Sequence, residues 1–225
     1  MSKNRKNLEM KIAFYNHELC HRGTAKAIYM YIKSIRSILP NVEIFYLFNS
    51  DSRYNNLSFG LYLLQCGTQI VPIKGFNDAI RLSKFYDLFY YVSSADDQST
   101  AWMKSLKCKS LLHQVGFQNP DFNSPTFFAY TSYWQSLYFT ASAAPVLPYI
   151  IEKPSLSINQ EEARKFFNIP AESIVLSRHG GLDTWNLPFV SQVVIDIVQK
   201  RPDIYFLFLG TYSFCHHPNI LFLPS

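Results

Sequence analysis

The chain has 225 residues with 48% apolar and only 16% charged side chains, which is ample material for a buried core and excludes disorder as its general state. Aromatic residues reach 16%, with 15 Tyr and 19 Phe, so many rings must be buried or line a cleft. The formal net charge of +5 owes much to Lys3, Arg5, Lys6 and Lys11, a cluster that reads as a solvated tail, so no nucleic-acid partner is predicted.

From Lys11 onward, short apolar runs rich in β-formers alternate with segments of helical period, the pattern of a parallel sheet wrapped by helices. Ile12–Tyr15 reads as a first strand, followed by a helix over Gly23–Leu39 that carries Ala27, Ile28, Tyr31, Ile35 and Ile38 on one face and stops at Pro40. Strands are predicted next at Val42–Phe48, Gln69–Ile73, Asp87–Val92 and Ser110–Gln114, with helices at Asn55–Gln65, Asn77–Phe85 and Ser99–Leu106 between them. A strand near Phe128–Thr131 and a helix from Tyr133 complete a first Rossmann-like domain over residues 1–150.

The polar stretch Glu152–Asn159 marks a boundary, and behind it the alternation restarts over residues 151–225. Helix Gln160–Phe167, strand Ile174–Arg178, helix Leu187–Lys200 and strands Tyr205–Gly210 and Ile220–Leu223 are expected there. So small a parallel sheet leaves an edge open, so this domain is read as the first part of a second Rossmann-like domain. A second copy or a partner chain covering that edge is a partner expectation.

Three segments are candidates for chemistry. Asn16 to Thr24 links the first strand to the first long helix at the carboxyl end of the sheet, where ligands of open α/β sheets gather. Gly23 lets backbone N–H groups approach a phosphate and Arg22 adds a positive charge, although the same loop could serve only as a helix start capped by Thr24. His113 stands at the end of the fifth strand, where it could hydrogen-bond a ligand hydroxyl or simply be satisfied by backbone. Ser177–Asn186, with Arg178, His179, Gly180, Gly181, Asp183 and Thr184, is again a strand-to-helix loop, in which the planar fork of Arg178 suits a diphosphate. Its plainer reading gives Asp183 or Thr184 to the helix cap and Arg178 to a surface ion pair.

There is no G-x-G-x-x-G, P-loop, G-x-S-x-G or H-E-x-x-H, which disfavours nicotinamide, flavin, nucleotide-hydrolase, serine-hydrolase and metalloprotease chemistry. Asp96–Asp97 reads as a capped loop and His216–His217 as part of a turn. Cys20, Cys66, Cys108 and Cys215 form no C-x-x-C pair, so no zinc site or disulfide framework is expected, no metal or other cofactor is predicted, and a reducing cytoplasm is the simplest home. No run approaches the roughly 18 to 20 apolar residues that cross a bilayer. Peripheral contact with an anionic membrane face stays open for a basic, aromatic-rich chain.

The start Lys11-Ile-Ala-Phe-Tyr-Asn, the Arg22-Gly23-Thr24 loop, and Leu176-Ser-Arg-His-Gly-Gly-Leu-Asp-Thr-Trp-Asn together resemble retaining glycosyltransferases of the GT-B fold, family 4 in particular. Pro148-Tyr149-Ile150-Ile151 and Phe167-Asn168-Ile169-Pro170 stand where that family crosses between domains and leaves a helix. The resemblance implies an acceptor-side first domain, a donor-side second domain, and transfer of a hexose from a nucleotide-sugar to a glycan, lipid or protein acceptor. It also implies that Gly23 lies under the donor diphosphate or near the acceptor, that Arg178 faces the donor phosphates, and that the catalytic-site residue His113 touches the donor sugar. Asp183 replaces a lysine usual in the family and Ser177 a glycine, and the family's acidic donor-binding motif has no counterpart in these 225 residues, as in a C-terminally truncated relative. The alternative function is therefore a non-catalytic sugar- or partner-binding module derived from such an enzyme.

Overall fold

The computed structural model describes residues 10–93, 100–115, 123–140, 144–153, 158–180 and 187–223. The chain divides into two compact units, residues 1–152 and 153–225. Both are α/β, as the alternation of short apolar runs and helical segments predicts.

The first unit is built on a six-stranded sheet of β1 (Lys11–Asn16), β2 (Glu43–Asn49), β3 (Gln69–Ile73), β4 (Leu88–Ser93), β5 (Lys109–Gln114) and β6 (Phe127–Tyr130). All its neighbours are parallel, in the order β3-β2-β1-β4-β5-β6. Strands buried on both faces need apolar residues at every position, and β1 is such a strand. Its Ile12 and Phe14 join one core with Ile28, Ile32, Ile44, Phe59 and Tyr90, whereas Ala13 and Tyr15 join a second core with Leu47, Ala79, Phe89, Tyr91 and Leu112.

Helices α1 (Gly23–Ile38), α2 (Leu57–Gln65), α3 (Phe76–Ser83) and α4 (Tyr133–Thr140) lie between or after these strands. On α1 the expected face divides: Ala27, Ile28 and Tyr31 are buried, but Ile38 is 74% exposed because the last turn runs past the core. The end of α1 is held by Arg36, whose guanidinium donates to the carbonyls of Val42 and Gly67 at 2.6 Å each. The helix expected over Ser99–Leu106 is instead a 3-10 turn, Ala101–Ser105, in which Met103 is buried; β5 opens soon after it at Lys109. After α4 the chain returns beside β6, where Leu147 N donates to Tyr130 O at 2.8 Å.

The second unit holds a parallel sheet in the order β7-β8-β9, from β7 (Ile174–His179), β8 (Ile204–Leu209) and β9 (Ile220–Leu223). Helix α5 (Gln160–Phe166) starts in a capping box between Asn159 and Glu162 and buries none of its residues. Helix α6 (Pro188–Lys200) begins with proline at its first position, where the missing N–H costs nothing, and packs Val194 and Val198 against Phe208 and Ile220. On β7, Ile174 and Leu176 remain 48% and 45% exposed.

Candidate functional site

In the order β3-β2-β1-β4-β5-β6 the chain reverses its direction of travel across the sheet between β1 and β4, so the loops leaving their carboxyl ends separate there. Asn16 ends β1 at this point, 6% exposed. Its side-chain amide donates to Glu18 O at 2.8 Å and to the Tyr46 hydroxyl at 3.1 Å, and Tyr46 donates to the same carbonyl. Asn16 thus holds the loop's shape from within, and the loop is anchored further by buried Leu19, whose N–H meets Asn55 Oδ1 at 2.9 Å.

His17 follows at the rim, its Nε2 2.9 Å from the Tyr91 hydroxyl on β4 and its ring edge-on to Phe76 and Tyr91. No local pattern singles out either residue, because they are 74 positions apart and only the β1–β4 pairing joins them. Arg22 is the residue before α1 and lies over the Tyr54 ring at 4.1 Å, with Glu18 3.5 Å from its Nη1. Arg53 also faces Tyr54 and lowers the pKa of that phenol, its hydrogen bond being the largest cause.

Helix α1 opens at Gly23 with no side-chain cap and no acidic residue in its first turn. Thr24, expected as a cap, lies inside that turn, and Arg22 takes the cap position. Gly23 is exposed, does not take a positive φ, and a Cβ built on it would meet nothing within 4 Å. Neither backbone conformation nor crowding therefore requires glycine at this position. What its missing side chain does is leave the helix N-terminus, with its outward N–H groups and positive dipole end, open to close approach.

His113 is the penultimate residue of β5 and 0% exposed. Its Nδ1 shares a hydrogen bond with the Tyr90 hydroxyl at 2.5 Å, and the rings of Tyr31, Tyr90 and Tyr149 surround it. Its Nε2 has no hydrogen-bond partner of good geometry. Burial pushes its pKa down to about 4, an effect the Leu147 backbone partly offsets.

The second unit has its own strand-end cluster. Arg178 sits one residue before the end of β7, half-buried, and its Nη1 donates to Thr211 Oγ1 at 2.6 Å beyond the carboxyl end of β8. Exposed His179 ends the strand, and Gly180 continues the ladder by donating from N to Leu209 O at 3.3 Å. A Cβ on Gly180 would lie 2.6 Å from Cζ of Arg178, so glycine is what lets the guanidinium lie against the backbone. Gly181, Asp183 and Thr184 lie outside the described residues. Thr211 is not apparent from sequence, being 33 positions from Arg178.

Among the described residues no three His, Cys, Asp or Glu side chains cluster as ligands to a metal ion would. No described helix is long and apolar enough to cross a membrane.

No family model matches the sequence, and no curated protein is significantly similar to it. Solved structures share its fold across nearly the whole chain. The Anabaena protein HepE, crystallised in complex with UDP and glucose, is similar with a TM-score of 0.64 at 12% identity, over 96% of this chain and 69% of HepE. The glycotransferase of kitacinnamycin is similar with a TM-score of 0.56 at 11% identity, over 95% of this chain and 70% of its own. At such identities the likeness is one of fold.

Proposed function

We propose that this chain is a glycosyltransferase of GT-B type, or a piece of one, that transfers a hexose from a nucleotide-sugar to a glycan, lipid or protein acceptor. Residues 1–152 form the acceptor side and residues 153–225 part of the donor side. The observation that carries the reading is the guanidinium of Arg178, held at the carboxyl end of a parallel sheet against a glycine that leaves room for it. A planar, always charged fork there matches a diphosphate. The fold shared with HepE, whose crystals hold UDP and glucose, supports the same ligand class.

In this reading the chemistry consists largely of charge stabilisation and positioning. As the sugar–phosphate bond breaks, negative charge grows on the leaving diphosphate, and Arg178 stabilises it where it develops. His179 and Gly180 line the same rim, and Gly181, Asp183 and Thr184, which lie outside the described residues, are proposed as further donor-binding residues. Arg22, Gly23 and Thr24 present the open start of α1 to an anionic or hydroxyl-rich group, while Asn16 fixes the loop beneath them. His113, the candidate catalytic residue, is buried at the end of β5 and hydrogen-bonded to the equally buried Tyr90. The motif resemblance further supports a family 4 type enzyme with a retaining outcome.

The test is release of nucleoside diphosphate from UDP-, GDP- and ADP-hexoses, with and without a panel of simple sugar acceptors, followed by chromatography. The reading expects turnover of one donor that Arg178→Ala lowers at least about tenfold, the loss of a charge-assisted hydrogen bond. The exposed Ile174 and Leu176 on β7 favour a second reading, a binding module completed by another chain. Saturable binding without turnover of any donor would select it.

A further inference from the structure

We infer that Thr211 is a positioning residue that fixes the Arg178 guanidinium for anion binding; the consequence for a diphosphate rests on the function proposed above. A side chain as long as arginine has many rotamers, and a phosphate site built on it binds more tightly if that freedom is already reduced before the ligand arrives. Among the described residues, two features reduce it. From below, Gly180 removes the Cβ that would stand 2.6 Å from Cζ and so admits the guanidinium against the backbone. From the chain just beyond the end of β8, the hydroxyl of Thr211 accepts a hydrogen bond from Nη1 at 2.6 Å.

The placement of Thr211 is itself a product of the fold. β7 and β8 run parallel with Arg178 opposite Phe208 and His179 opposite Leu209, so the chain leaving β8 emerges beside Arg178. Gly210 turns it with a φ of 65°, a left-handed value that suits glycine, and its N–H donates to Leu223 O at 3.1 Å. Thr211 follows, 6% exposed, so its hydroxyl is held in a nearly closed environment.

The chemical nature of the partner matters as much as its position. A carboxylate at residue 211 would hold the guanidinium equally well but would offset its charge. A hydroxyl orients it and adds no negative charge, so Thr211 itself leaves the cation undiminished for an anion. The γ-methyl explains threonine rather than serine only as packing, so Thr211→Ser should retain the function and Thr211→Val, of nearly the same shape, should lose it.

Two measurements on the full chain test this. In 15N spectra of the arginine side chains, with Arg178 identified by its loss in Arg178→Lys, the wild type and Thr211→Ser should show hindered rotation of the Nη groups and Thr211→Val should show measurably faster rotation. Equal rotation in wild type and Thr211→Val would overturn the inference, whatever the ligand. In titration with UDP, Thr211→Val should bind about tenfold more weakly, Thr211→Ser nearly as wild type, and the valine effect should vanish in an Arg178→Ala background. An undiminished valine effect in that background would also overturn it. If the wild type bound no UDP, the diphosphate reading would fall, while the Nη comparison would still decide whether Thr211 positions Arg178.

Discussion

His113 shows how a residue chosen for its chemistry can be governed by its surroundings. The neutral ring is enclosed by Tyr31, Tyr90 and Tyr149, and charging it there is costly, which is why burial pushes its pKa down to about 4. In the unfolded chain the ring returns to its ordinary value near 6.5, so between these two values the unfolded state binds more protons than the folded one. The stability His113 contributes is therefore complete above about pH 6.5 and is lost as the pH falls toward about 4. Between pH 7 and pH 5 the loss should be about 2 kcal/mol. Urea unfolding at the two pH values should show that much less pH dependence in His113→Gln than in wild type; identical dependence would contradict the burial account. At the same scale, Arg178, Gly180 and Thr211 form a cluster in which the first supplies charge, the second space and the third orientation.

Among the elements, α1 connects sequence, structure and proposed function most directly. Its body follows from apolar spacing and its end from Pro40, but its first residue has no structural reason to be glycine. Gly23→Ala should leave stability unchanged or raise it by up to about 1 kcal/mol, because alanine has the better helix propensity and meets no atom there. If the open N-terminus serves a ligand, the same substitution should weaken substrate binding; a thermal melt paired with a donor and acceptor titration separates the two effects. Loss of stability without change in binding would mean that Gly23 serves the fold alone. The strands were legible because each is a short apolar run, buried on both faces in β1 and β4, and the loops at their carboxyl ends because each lies between such a run and a helical pattern. The 3-10 turn Ala101–Ser105 was not, since its helical spacing says nothing of how little chain separates it from β5. Nor were the pairings His17 with Tyr91 and Arg178 with Thr211, which depend on strand order and register rather than on any local pattern.

At the scale of the whole chain, each unit has its own parallel sheet and its own buried core, and in each the residues with chemistry to offer collect at the carboxyl ends of the strands. That distribution follows from the physics of such sheets: strand interiors are filled with apolar side chains, and loops at the carboxyl edge gain helix N-termini whose N–H groups point at a ligand. In the proposed function the second unit's rim holds a nucleoside diphosphate through Arg178. Calorimetric titration of the chain with UDP, GDP and ADP tests it most directly. Saturable binding of at least one of the three is expected, weakened at least about tenfold by Arg178→Ala. No binding at millimolar nucleotide, or binding unchanged in Arg178→Ala, would contradict it.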